Sequence, residues 1–164
     1  MSDISSSYLD SIFDRKKSRL TIKGMVQLIK LSEVKFDTIV FRGMSGALIA
    51  PIIAHQLRKR ITLCRKDSDD SHSGHGFAEG YKEIKRYVII DDFINEGHTV
   101  RSILKTINVI ESNAECVGIF LYRSNRGHNF EGNIPVYSLD FNFLANKPRF
   151  CGDNLPKPQT EFKA

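Results

Sequence analysis

Cysteine is scarce in this chain, and apolar runs long enough to cross a bilayer are missing. The three cysteines among 164 residues, Cys64, Cys116 and Cys151, are odd in number and show no paired spacing. That argues against a disulfide framework and against a structural zinc site. Cys64 and Cys116 lie inside apolar, strand-like runs and read as reduced core residues, which points to a cytoplasmic protein. Without about 20 consecutive apolar residues no transmembrane helix is expected, and Met1-Ser2-Asp3-Ile4 begins no apolar leader. Internal repeats, linker-like stretches and a low-complexity basic tail are also missing, so one domain over residues 1–164 is expected.

What is present suits a soluble globular domain with a sizeable core: 41% hydrophobic and 26% charged residues. The net charge is +5 and the sequence pI about 9.2. Such a balance favours anionic partners, from phosphorylated metabolites to RNA, without choosing between them. Arg58, Lys59, Arg60, Arg65, Lys66, Arg123 and Arg126 are scattered along the chain, as on a solvated surface.

Periodicity organises the chain into alternating strands and helices. Residues 1–20 are Ser-rich and then charged, and read as a short helix and a loop. Ile22, Met25, Val26 and Ile29 mark an amphipathic helix. Thr38-Ile39-Val40-Phe41 is a buried strand, and the small-residue turn Arg42 to Gly46 leads into an apolar helix through Leu57. Pro51 is expected in that helix's first turn, where a missing N–H does no harm. Ile61 to Cys64 is the next strand, followed by a polar segment to about Arg86, and further strands are expected at Val117–Tyr122 and near Val136–Leu139. The tail with Pro148, Gly152, Pro156 and Pro158 reads as irregular. This alternation predicts an open, mainly parallel α/β sheet flanked by helices, whose ligands bind beyond the carboxyl ends of the strands.

The most informative stretch is Val88-Ile89-Ile90-Asp91-Asp92-Phe93-Ile94-Asn95-Glu96-Gly97-His98-Thr99. An apolar strand ends in two carboxylates and turns around Gly97 into a helix whose buried face is Val100, Ile103, Leu104 and Ile107. A strand feeding a helix through such a turn offers free N–H groups and the positive end of the helix dipole to a phosphate. Two carboxylates beside it suit hydroxyls and a divalent metal, as in a ribose phosphate.

This run resembles the phosphoribosyl-pyrophosphate signature of the type I phosphoribosyltransferases, and the neighbouring motifs are most similar to the orotate enzymes. The resemblance covers roughly residues 38–127 and implies a phosphoribosyltransferase-like domain with a core at about 38–127 and a small hood from the terminal segments. It also implies Mg²⁺-dependent transfer of phosphoribose from phosphoribosyl pyrophosphate to a nucleobase, with orotate or another pyrimidine favoured, by a homodimer. Asp91 and Asp92 would hold the ribose hydroxyls and, indirectly or through the ligand, Mg²⁺. Asn95, Glu96, Gly97, His98 and Thr99 would bind the 5′-phosphate, while Phe93 and Ile94 would face the base.

Three further constellations join this signature. Arg42-Gly43-Met44-Ser45-Gly46 resembles the family's pyrophosphate loop, with Arg42, Gly43, Ser45 and Gly46 as binding residues; it also reads as a tight strand–helix turn capped by Ser45. Arg65-Lys66 opens a Ser-, Gly- and His-containing loop that resembles the mobile catalytic loop of the orotate enzymes. There Arg65 and Lys66 would neutralise pyrophosphate and His72 or His75 would give a proton or hydrogen bond to the departing group. A solvated loop is the other reading of the two histidines. Leu121-Tyr122-Arg123-Ser124-Asn125-Arg126-Gly127 is similar to a base-contacting stretch of the orotate enzymes, so Arg123 would meet the base's carboxylate. Pro135 to Phe141 reads as an edge strand.

The sequence also departs from the family. The loop carries Asp67, Asp69 and Asp70 where the orotate enzymes place a lysine, and their N-terminal hood motifs are not recognisable. Asn95 stands where the 6-oxopurine enzymes carry an aspartate base, which argues against hypoxanthine or guanine. Glu96 replaces a small residue of the phosphate loop, and Arg101 is its candidate partner. These departures keep two alternatives open: a non-catalytic regulatory or RNA-binding protein on the same fold, and a hydrolase of a ribose phosphate.

Overall fold

The computed structural model describes residues 9–66, 78–81, 83–123, 130–131, 133–142 and 147–151. The chain begins with two helices, α1 (Asp10–Phe13) and α2 (Arg15–Leu31). It continues through β1 (Thr38–Arg42), α3 (Gly43–Leu57), β2 (Arg60–Cys64), β3 (Ala78–Gly80), β4 (Arg86–Asp91) and α4 (His98–Ile110). Strands β5 (Glu115–Leu121), β6 (Val136–Asn142) and β7 (Lys147–Cys151) complete the sheet.

The seven strands run in the order β3-β2-β1-β4-β5-β6-β7. The five inner strands are parallel, and β3 and β7 are antiparallel edges. Alternation along each strand builds two separate cores, one on each face. Ile39 and Phe41 of β1, Val88 and Ile90 of β4, and Phe120 of β5 pack beneath α2 and α3. Val40, Ile89, Ile119 and Leu121 face the other way, onto Val100, Ile103 and Ile107 of α4. The crossover through α3 leads from β1 to β2 on one side, and the crossover through α4 leads from β4 to β5 on the other. The strand order therefore reverses between β1 and β4, and a crevice opens at their carboxyl ends.

The elements differ from the sequence expectations in several places. Helix α3 begins at Gly43, so most of the expected turn from Arg42 to Gly46 is its first turn. Helix α2 begins at Arg15, because Asp14 caps it by accepting from the Lys17 N–H at 2.8 Å. Pro51 is the ninth residue of α3, not in its first turn. An interior proline costs about 3 kcal/mol, but Ile49, Ala50, Ile53 and Ala54 around it are buried. Burial of an isoleucine side chain contributes about 1.5–3 kcal/mol, so packing overrides the proline. The polar segment after Cys64 contributes β3, which pairs with β2 through Cys64↔Ala78. Strand β6, expected as an edge, extends to Asn142 and lies inside the sheet, because the tail expected to be irregular forms β7, pairs with it and takes the edge, where Pro148 is accommodated. Among the described residues, no helix is long and apolar enough to cross a membrane.

Candidate phosphoribosyl site

The crevice between β1 and β4 is a cavity of about 480 Å³. Arg42, Gly43, Met44 and Ser45 line it from the β1–α3 junction, Lys66 from beyond β2, and the continuous run from Asp91 to Val100 from the β4–α4 junction. Two helix N-termini thus face one space. Among the described residues, neither Arg42, which precedes α3, nor Gly97, which precedes α4, caps its helix with a side-chain hydrogen bond, and neither helix has an acidic residue in its first turn. Those amides and both helix dipoles are left to an anion.

Gly97 makes the second turn possible. Its φ of +78° lies in the left-handed region, and a Cβ there would meet the Phe130 ring at 2.6 Å. Gly43 plays a similar part at φ +70°, where a Cβ would stand 3.4 Å from Cε of Lys66. The lysine side chain passes over the bare glycine into the cavity.

The carboxylate pair is built into the sheet. Asp91 and Asp92 are buried at the end of β4. Oδ1 of Asp91 accepts from Ser45 Oγ at 2.7 Å and from the Asp92 N–H at 2.9 Å. Burial pushes the Asp91 carboxyl up to about 7; those two hydrogen bonds oppose the shift, and the charge of Asp92 adds to it. Tyr122 donates its hydroxyl to the Ser45 carbonyl at 3.2 Å, holding the start of α3 against the end of β5. Val100 lines the cavity and Tyr122 supports it through Ser45; the sequence reading gave neither a role at the site. Tyr122 sits in an apolar run beside an arginine, and only the tertiary fold shows that its hydroxyl reaches Ser45.

Most of the residues named from the sequence converge here, with informative exceptions. Arg65 turns away to pair with Glu79 of β3 and is not part of the cavity lining. Gly46 is buried against the sheet: a Cβ there would meet Cβ of Phe41 at 2.7 Å and the Ile90 carbonyl at 3.2 Å, so this glycine serves close packing. Ser45 lies inside α3 and does not cap it. The carboxylate of Glu96 pairs with Nε2 of His98 at 2.8 Å, not with Arg101, which donates instead to the Glu96 carbonyl at 2.7 Å. Arg123 is also not part of the cavity lining; it lies over the ring of Phe93, which is, 5.9 Å from the ring centroid. His72 and His75 lie outside the described residues.

The fold is that of the type I phosphoribosyltransferases, and the chain belongs to the phosphoribosyl transferase domain family, whose pattern matches residues 9–143. The transcriptional regulator GfcR of Methanocella arvoryzae is 28% identical over 122 residues, covering 69% of this chain and 58% of the regulator. The orotate phosphoribosyltransferase of Thermotoga maritima is 23% identical over 115 residues, covering 70% and 58% respectively. The crystal structure of orotate phosphoribosyltransferase from Francisella tularensis shares the fold with a TM-score of 0.55 at 19% identity, over 75% of this chain and 59% of that one. The chain spans about half the length of the curated relatives it matches.

Proposed function

We propose that this protein binds phosphoribosyl pyrophosphate and transfers its phosphoribose to a nucleobase, releasing pyrophosphate. The supporting observation is the convergence of two helix starts without side-chain caps and one buried carboxylate pair on a single cavity. In this reading the amides from Asn95 to Thr99 receive the 5′-phosphate. Arg42, Gly43, Ser45 and Lys66 receive the pyrophosphate. Asp91 and Asp92 accept hydrogen bonds from the ribose hydroxyls between them. As the bond from ribose C1′ to the pyrophosphate oxygen breaks and a bond to the base nitrogen forms, Arg42 and Lys66 stabilise the charge gathering on the leaving group.

The donor set fits magnesium. Among the described residues no three His, Cys, Asp or Glu side chains cluster as a closed metal cage. One or two carboxylates beside a phosphate site are what Mg²⁺ uses, with waters and ligand oxygens completing its octahedron. When bound it would supply positive charge to the pyrophosphate. On the base side, Phe93 and Ile94 offer an apolar wall and Arg123 a guanidinium fork, which suits orotate or another pyrimidine. We further propose a single domain acting as a homodimer; the described terminal segments, α2 over the sheet and β7 at its edge, belong to the core layers and not to the expected hood.

A second reading, a regulator that senses the same ribose phosphate without turnover, is favoured by the relative named a transcriptional regulator and by the Glu96 carboxylate in the phosphate loop. Pyrophosphate release from phosphoribosyl pyrophosphate and Mg²⁺, with a nucleobase panel and a no-base control, separates the two. Release dependent on one base, lost in the Asp91→Asn, Asp92→Asn double variant, supports the transferase. Binding of phosphoribosyl pyrophosphate without release for any base supports the regulator. Absence of binding overturns both.

A further inference from the structure

Arg101 occupies the first turn of α4, beside the proposed phosphate amides, where a cation looks made to meet a phosphate. Its geometry says otherwise. The guanidinium Nε donates to Glu131 at 2.8 Å, one terminal nitrogen donates to the Glu96 carbonyl at 2.7 Å, and the group lies over the Phe130 ring, 5.5 Å from its centroid. Phe130 in turn fills the space a Cβ of Gly97 would need. Phe130 and Glu131 come from the connection between β5 and β6, more than 30 positions from the phosphate loop they touch. Two backbone hydrogen bonds between Phe130 and Ile134, at 2.7 and 3.1 Å, close that turn, and Glu131 is held within it at a left-handed φ of +51°.

We propose that Phe130, Glu131 and Arg101 form a buttress that fixes the phosphate loop, with Arg101 as a positioning residue and not a phosphate ligand. The physical basis is the direction of the loop's amides. Their use to an anion depends on the peptide planes from Glu96 to His98, which a Gly97 at positive φ leaves free to rotate. Arg101 pins the Glu96 carbonyl on one side of that glycine, and the Phe130 ring closes off its other face. Glu131 keeps the guanidinium turned to the carbonyl and compensates its charge. Preorganised donors bind an anion without the entropic loss of ordering the loop. The inference rests on the phosphoribosyl reading for its ligand, but the order of the loop is measurable without one.

The test is ribose 5-phosphate titration of the wild type, Glu131→Ala and Glu131→Gln, with backbone ¹⁵N order parameters across residues 96–100 in the free proteins. The side chain of Glu131 is about half exposed, so both variants should fold. The buttress predicts that Glu131→Ala weakens ribose 5-phosphate about threefold to fivefold and lowers the order parameters at residues 96–100. Glu131→Gln, whose amide oxygen still accepts from Arg101, should restore near wild-type behaviour in both. If Arg101 were itself a phosphate ligand, Glu131→Ala would release a cation and tighten binding; that result, or unchanged order parameters, overturns the proposal. Should the wild type bind no ribose 5-phosphate, the phosphoribosyl reading falls. The buttress then stands if Glu131→Ala lowers the order parameters and falls if it does not.

Discussion

Ser45 Oγ donates to Oδ1 of Asp91 across 2.7 Å, joining residues 46 positions apart. Through this bond the first turn of α3 reaches the carboxyl end of β4 and closes the floor of the crevice. Replacing Ser45 by alanine removes a hydrogen bond to a buried carboxyl, a change worth about 1–3 kcal/mol. Ser45→Ala should therefore lower stability by an amount in this range at pH 8, read from urea unfolding with an unchanged m-value. A variant as stable as wild type would show that water replaces the hydroxyl at no loss.

The Asp91 carboxyl gives the metal-free protein a particular pH dependence. Its folded-state pKa is pushed up to about 7, against about 3.9 for an unfolded chain. Between these values the folded state binds more protons than the unfolded one, so this group's stabilising contribution is full below about pH 4 and is lost as pH rises through 7. Each pH unit within the window is worth at most about 1.4 kcal/mol. In EDTA, Asp91→Asn should gain stability relative to wild type between pH 5 and pH 7.5. A difference that stays constant over that range would mean Asp91 is ionised throughout.

Gly46→Ala sets two opposing effects against each other. Alanine is favoured over glycine inside a helix by about 1 kcal/mol. Against that, the new Cβ would stand 2.7 Å from Cβ of Phe41 and 3.2 Å from the Ile90 carbonyl, in the contact between α3 and the sheet. Overpacking of this kind costs about 1–3 kcal/mol. The clash involves backbone and a Cβ, which have little room to yield, so a net loss of about 1–2 kcal/mol is expected from chemical denaturation. A stabilised variant would mean α3 can lift off the sheet freely.

Thiol reactivity should follow burial. Desolvation pushes the Cys64 and Cys116 thiols up to about 12, so at pH 8 both are almost wholly protonated in the folded state. Cys64 is also closed to solvent, in contrast to the partly exposed Cys151. With Ellman's reagent at pH 8, Cys151 should react first and Cys64 and Cys116 only on addition of denaturant. Fast labelling of Cys64 in the native protein would contradict the packing of β2 against α4.

The residues from Val88 to Thr99 carried much of this outcome on their own. An apolar run must be buried, two carboxylates cannot be buried without reason, and a glycine before an amphipathic helix opens that helix to an anion. Those are local constraints, so the strand, the turn, the helix and the cavity they border were legible from the order of residues. Arg42 to Gly46 was legible as a strand–helix junction, although its residues from Gly43 onward belong to α3 and not to a turn.

Other features depended on which distant segments meet. That Arg65 pairs with Glu79 depends on β3 folding back along β2. The position of Pro51 inside α3 depends on burial strong enough to outweigh the missing hydrogen bond. The partner of Arg101 is a carboxylate 30 positions away, not the neighbouring Glu96 side chain. Strand β7 exists because β6 offers it an edge, although its own sequence contains a proline. Sequence by itself determined the local chemistry, because turn, strand and helix preferences act over a few residues. Tertiary structure alone decided the direction in which each charged side chain points, since long flexible side chains turn toward whatever partner the packed fold brings within reach.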